Sequence, residues 1–383
     1  MTLSPAVRRM LPALAIALLI PLVAACIPGA PGAPGASPTP PPPPLTPAQP
    51  GADPVSLLAW LFTPIFQAMF IVLIAVYVFL ENLGVPGAIA WAIVVLTLVV
   101  RAILIPLYRK QLVSQRRMQL LQPELREIQR RFKGDTMKVR MAQQELMRER
   151  GVNVLAGCLP LLLQLPLLFI IYSVIQHGLT NQDPRAMLSV FGVQLVDLQC
   201  TNVLANGSID PTKPCIDANV PLFGNVAQAQ AFFWIAGFGL SFLAIASALL
   251  QLVQSRMMLP AADPSNDDPN IRVQRQMMLF LPIISVVYGG FLPAGLFIYW
   301  IVATVFSIVQ QYLIVGWGSM FPLFGWTPGF AVDHTPRFPV AMPPPPEPSQ
   351  RAAILADAAK KTTADRTIRK RERGRQGRRG RRR

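Results

Sequence analysis

Charge is scarce in this chain, and acidic charge scarcer still. Only 14% of the 383 residues are Asp, Glu, Lys or Arg, against about 25% in soluble domains. Asp and Glu number 19 against 35 Lys and Arg. The apolar runs at 86–108, 154–177, 228–254, 276–292 and 294–316 hold no acid at all. That excludes intramembrane chemistry built on paired carboxylates. Two histidines, His177 and His334, leave little for a His-based site. The four cysteines lack metal-ligand spacing, so neither a metal nor a cofactor is expected. No stretch has the form of a phosphate-binding P-loop. No internal repeat stands out of the kind that builds many transporters.

What is present is hydrocarbon. Apolar residues make up 52% of the chain, and several runs reach the length that spans a bilayer. The fold class expected is therefore an all-α polytopic membrane protein. The formal net charge of +16 is concentrated in a loop near the middle and in the last eighteen residues.

The run at 86–108 organises the rest. It carries one buried-type charge, Arg101, eight residues before Arg109. At about 1.5 Å per residue that is roughly 12 Å of depth. A guanidinium at mid-span costs about 2.5–3.5 kcal/mol on insertion scales. Two readings fit: Arg101 lines a polar cavity, or it snorkels to the headgroups.

Taken in order, residues 1–25 read as a secretory signal, with Arg8 and Arg9 before an apolar stretch. Leu22–Cys26 resembles a bacterial lipobox, which implies cleavage before Cys26 and lipid on its sulfur. Residues 26–54 are a Pro-rich tether with no core to bury. Residues 55–82 look like a span, yet the crossing count argues against one. Residues 109–153 hold twelve Lys and Arg up to Arg150, which puts that loop in the cytoplasm. An odd number of crossings must separate it from an N-terminus outside. Residues 55–82 are therefore expected along the outer interface, or embedded without crossing.

The loop at 109–153 reads as a helical hairpin. Met118, Leu121, Leu125, Ile128 and Phe132 repeat at coiled-coil spacing. Gly134 suits a stop and Asp135 a new N-cap. Met137, Met141 and Met147 can face back in the returning arm. Pro123 should interrupt the first arm. A second span at 154–177 follows, with Gln164 at mid-depth, either lining a cavity or bonding a neighbouring helix. Residues 178–227 fall outside, where Cys200 and Cys215 can pair or stay free. A third span covers 228–254 and a cytoplasmic loop 255–275. The fourth and fifth spans are 276–292 and 294–316. The tail, 317–383, is expected to be disordered. Its Arg369, Lys370, Arg371, Arg378, Arg379, Arg381, Arg382 and Arg383 attract polyanions, whether ribosomal RNA or anionic lipid. The C-terminus is cytoplasmic on this count.

Several stretches together resemble the YidC/Oxa/Alb membrane-protein insertases, in their bacterial lipoprotein form. They are Arg101–Leu107, Met118–Glu124 (MQLLQPE), Gly151–Pro160 with the following LLLQLP, and Leu292–Leu296 with Tyr299-Trp300 and Ser307–Tyr312. The resemblance covers about residues 54–315. Leu292 stands where Phe is usual, and the loop at 178–227 is long. The resemblance implies a five-transmembrane-helix core around a hydrophilic groove, open to cytoplasm and lipid and closed outside. It favours the cavity reading of Arg101 and the interfacial reading of 55–82. It implies no enzyme but an insertase and chaperone in the bacterial plasma membrane. Arg101, Gln164, Tyr299 and Trp300 become candidates for groove or substrate contacts. Nascent membrane proteins and the bilayer are the implied partners, with the ribosome and the Sec translocon as further candidates. The rival reading is a small-anion transporter or channel that binds its ion at Arg101.

Overall fold

The computed structural model describes residues 45–47, 54–152, 159–203, 210, 213–235, 238–258, 276, 278, 280, 282–318, 320–321, 325–332 and 334–341. The signal at 1–25, Cys26, nearly all of the tether and the tail arginines from Arg369 to Arg383 lie outside the described residues. So does most of the 255–275 loop. The chain is mostly helical. Helices Trp60–Asn82 and Ala294–Val315 are long and apolar enough to cross a membrane. The bent pair Ala88–Ile103 and Ile105–Leu120 makes a third if taken as one broken span. Pro166–Gly178 and Phe242–Met258 are apolar but shorter.

The chain divides into two compact units. The first comprises residues 1–99, 168–252 and 273–304. Helix Pro54–Asn82 buries Phe70, Leu73 and Ile74 completely, a spacing of three and four residues that defines one helical face. Phe70 packs where Gly178 leaves room; a Cβ there would sit 2.5 Å from its ring. Gln67 Nε2 donates to the Ser189 carbonyl at 2.7 Å. Among the described residues, three two-stranded antiparallel ribbons follow: Ser189–Val190 with Val193–Gln194, Asn219–Val220 with Gly224–Asn225, and Phe233–Ile235 with Phe238–Leu240. A disulfide joins Cys200 to Cys215. Beside it the buried Asn202 amide donates to the carbonyls of Gln182, Asp210 and Lys213. The Arg185 guanidinium donates to Asp183 and holds that carboxyl below its usual range.

The last ribbon corrects the third span. The sequence pattern runs a helix over 228–254, but the helix begins at Phe242. Residues 232–235 are aromatic or β-branched, and Gly237 and Gly239 follow. Those residue types favour a pleated ribbon over a helix. The chain is mostly helical, but the all-α expectation misses these ribbons, the last of which lies inside an apolar run. The helix Ala294–Val315 follows the expected fifth span closely. Its first N–H groups, which no helix can satisfy internally, donate to the carbonyls of Gln228 and Val226 at 2.9 and 2.8 Å.

The second unit comprises residues 100–167, 253–272 and 305–383. It holds the hairpin. Its arms are Gln122–Arg131 and Thr136–Glu149, and Pro123 marks the break after Leu121. Asp135 caps the second arm by accepting from the Lys138 N–H. Leu121, Leu125 and Val152 form the hairpin core, with Met118 and Leu146 against it. Met137 and Met141 are exposed, at 63% and 56%, which corrects their expected inward position. Leu146 sets the packed face, and Met137 lies nine residues earlier, two and a half turns away. Across the arms, Arg150 Nη2 reaches both carboxylate oxygens of Glu124 at 2.9 Å.

The hairpin core makes a simple prediction. Leu121 is fully buried, and truncating such a leucine costs about 2–5 kcal/mol. Leu121→Ala should raise amide hydrogen exchange across 122–149 while leaving helix 294–315 protected. Unchanged exchange in the hairpin would show that this core does not hold its arms together.

Candidate functional site

The site is built at a break in a helix. The run that begins at Ala88 stops at Ile103, and a second helix starts at Ile105 and ends at Leu120. The two are bent by 64°. Pro106 explains the break: it has no N–H to donate, and it disfavours helical backbone in the residue before it. Arg101 stands just before the break and Tyr108 just after. The sequence pattern ran one span over 86–108, with the hairpin starting at 109. Instead the helix after the break carries the first basic residues, Arg109 and Lys110, on its own first turns.

Arg101 is buried, with 6% of its surface exposed. Its Nη1 donates to the Ser307 hydroxyl at 3.1 Å. Its guanidinium carbon sits 4.7 Å from the centre of the Tyr108 ring, within cation–π range. The Tyr108 hydroxyl donates to Gln164 Oε1 at 3.3 Å. Arg101 and Gln164 therefore meet the same tyrosine, one over its ring and the other at its hydroxyl. Among the described residues no carboxylate pairs with Arg101, and its buried Nε has no hydrogen-bond partner.

The orphaned nitrogen has company. One turn beyond Tyr108 on the same helical face is Gln111, which is 3% exposed and, among the described residues, has a partner for neither its side-chain oxygen nor its nitrogen. One turn beyond Ser307 is Gln311, 1% exposed, whose Oε1 lacks a partner. Residues three and four apart share a helix face, so these amides extend the faces that meet at Arg101. Most buried polar atoms in folded proteins are paired, and each exception calls for an explanation. Among the described residues, four of the eight such side-chain atoms belong to Arg101, Gln111 and Gln311. Chemically the site offers a buried positive charge and unsatisfied hydrogen-bonding atoms, with no carboxylate paired to the charge among the described residues.

The other sequence candidates fall elsewhere. Tyr299 and Trp300 belong to the first unit. Tyr299 is 1% exposed, and Trp300 packs edge-on to Phe297 with ring centres 5.4 Å apart. That unit has its own buried polar cluster, and it is satisfied. Gln251 donates to Ser247 at 2.9 Å and accepts from Ser285 at 3.3 Å. Sequence reasoning did not single out Tyr108 and Gln111 as candidate site residues. A signal existed in their i, i+3 spacing directly after the proline, but the basic residues around them disguised it as surface.

Comparison with known proteins follows the same residues. The model of the family described as 60Kd inner membrane protein matches residues 79–318. A protein of Wolinella succinogenes named "Membrane protein insertase YidC" is 32% identical over 248 residues, 65% of this chain and 36% of that protein. A Campylobacter jejuni protein of the same name is 32% identical over 265 residues, 69% of this chain and 40% of its own length. One from Janthinobacterium is 29% identical over 267 residues, 69% of this chain and 39% of its own. The chain thus spans less than half the length of these curated relatives.

Proposed function

The chain belongs to the 60Kd inner membrane protein family, and we propose that it is a membrane protein insertase working through a hydrophilic groove at Arg101. The observation that carries this is a buried guanidinium, Arg101, with no carboxylate partner among the described residues, flanked on the helix faces of Tyr108 and Ser307 by the unsatisfied amides of Gln111 and Gln311. In hydrocarbon each such atom costs several kcal/mol, on the order of 2–7. Water and the polar segments of a client would satisfy them. A client's hydrophilic segment would then enter a wet pocket part-way into the membrane, which shortens the crossing. Arg101, in a medium less polarisable than water, attracts acidic residues of that segment. The client's apolar helix partitions sideways into lipid, and that transfer drives the process. No bond is made or broken, and no nucleotide is needed.

The remaining parts take their own roles in this reading. The basic hairpin at 109–153 receives nascent chains at the cytoplasmic mouth, and the tail from Arg369 to Arg383 keeps the ribosome, or anionic lipid, nearby. The helix at 54–82 lies along the outer interface. Its contacts support that placement: Gln67, Phe70 and their neighbours pack on Gly178 and Ser189, where the loop at 178–227 begins. A lipid on Cys26 would tether the N-terminus outside. The Sec translocon is a candidate neighbour.

The test is side-specific accessibility. Cysteine placed at Gln311 should react with a membrane-impermeant thiol reagent in inside-out vesicles. It should stay unreactive in spheroplasts, each measured against the parent chain without that thiol. Equal labelling from both sides would favour an anion pathway instead, and labelling from neither would leave the pocket dry and the insertase mechanism without its physical basis.

A further inference from the structure

Two hairpin tips in the loop at 178–227 break the usual rules for turns in the same way. Val190 pairs with Val193, so Phe191 and Gly192 form a two-residue turn, with φ of 51° and 80°. A turn with both central residues at positive φ normally takes Asn-Gly. Here phenylalanine occupies the Asn position, and it is 102% exposed. In the second hairpin the Phe223 N–H donates to the Val220 carbonyl at 3.2 Å. Pro221 is the first central residue and Leu222 the second, at φ 78°. That position normally takes Gly or Asn. Leu222 is 94% exposed.

Both residues are therefore unfavourable twice over: for the backbone they adopt and for the apolar surface they hold out. Val193 and Leu195 extend the first patch, at 61% and 55% exposure. Neither tip carries charge, since residues 186–196 and 218–227 contain no Asp, Glu, Lys or Arg.

What covers them follows from what stands beside them. The base of the first hairpin accepts, at Ser189, from Gln67 of the apolar helix 54–82. The second hairpin touches Gly87, the residue before helix 88–103. A Cβ on Gly87 would lie 3.0 Å from Val220 and 3.1 Å from Pro221. Leu222 thus stands next to the level at which an apolar run enters the membrane. We propose that Phe191 and Leu222 are lipid anchors: two uncharged tips of a disulfide-braced loop that dip into the bilayer surface beside helices 54–82 and 88–103. Apolar side chains on short exposed segments gain their burial at that headgroup–acyl boundary. The anchors hold the loop over the membrane, so that movements of helix 88–103 carry it along rather than swing it into solvent. The proposal asks only that the chain spans a membrane, and its failure would leave the insertase reading untouched.

The experiment uses the full chain in phosphatidylcholine–phosphatidylglycerol vesicles. A genetically encoded, environment-sensitive fluorescent residue is placed at position 191, at 222, or at Lys213 as a control that is 72% exposed. At 191 and 222 the emission should be blue-shifted, quenched by lipids with a nitroxide near the headgroup end of the chain, and insensitive to aqueous iodide. Lys213 should behave in the opposite way. Aqueous emission at either tip overturns the proposal. So does a shielded tip that nitroxide lipid fails to quench, which would mean that protein, such as a second copy, covers it. A further variant keeps both turns well formed: Phe191→Asn with Leu222→Gly, and the reporter at Val193. The reporter should return to aqueous emission in that variant, and unchanged shielding would count against lipid anchoring.

Discussion

Arg101→Ala is expected to cut insertion of clients whose translocated segment is acidic by about tenfold or more, since a hydrogen bond to a charged group contributes about 1.5–3 kcal/mol. The loss should be confined to such clients. On the proposed mechanism, a client with a neutral outer segment needs the wet pocket but not the charge. Arg101→Lys should fall between, because an ammonium keeps the attraction but lacks the branched guanidinium that lies over Tyr108 while reaching Ser307. Protein level separates this from misfolding. A buried guanidinium without a carboxylate is costly to the fold, so its removal should leave the amount of protein in the membrane equal or higher. The measurement is protease protection of acidic and neutral variants of one client, in cells depleted of their own insertase. Wild-type insertion of the acidic client by the alanine variant would remove the charge from the mechanism.

How far the chain could be read before folding depends on the range of each interaction. Apolar length is a local property, and the helix at 294–315 follows it almost residue for residue. The hairpin was legible for the same reason, since Leu121, Leu125 and the Asp135 cap act within a few residues. What failed depended on contacts distant in sequence or on competition between residue types. The ribbon at 233–240 is apolar enough for a span, but its aromatics and glycines prefer a pleat. Met137 and Met141 have the right residue type and the wrong phase relative to Leu146. Arg101 could be singled out by its cost in lipid. That it meets Ser307, 206 positions away, could not be read from any period, nor could the two orphaned glutamines.

Gly290→Ala should be the most damaging single methyl group in the first unit. Its added Cβ would fall 2.3 Å from the Gly239 Cα, 2.6 Å from the Gly239 oxygen and 2.7 Å from the Gly239 carbonyl carbon. These are backbone atoms, so no side chain can rotate away. The ribbon at 233–240 would have to move off residues 288–291, breaking the edge-on contact of Trp234 with Phe291, now 5.7 Å between ring centres. Overpacking of this kind costs about 1–3 kcal/mol, occasionally more, and an immovable neighbour puts this case at the upper end. The same contact seen from the other side gives Gly239→Ala a related loss, with the Gly290 Cα at 2.8 Å. Gly329 is the matched control, because a Cβ there meets nothing within 4 Å. Thermal unfolding in detergent, followed by tryptophan fluorescence, should show Gly290→Ala melting several degrees below wild type and Gly329→Ala melting with it. Equal melting of Gly290→Ala and wild type would mean that the ribbon does not seat against residues 288–291, and that the backbone contact between Gly239 and Gly290 is not part of what holds this unit together.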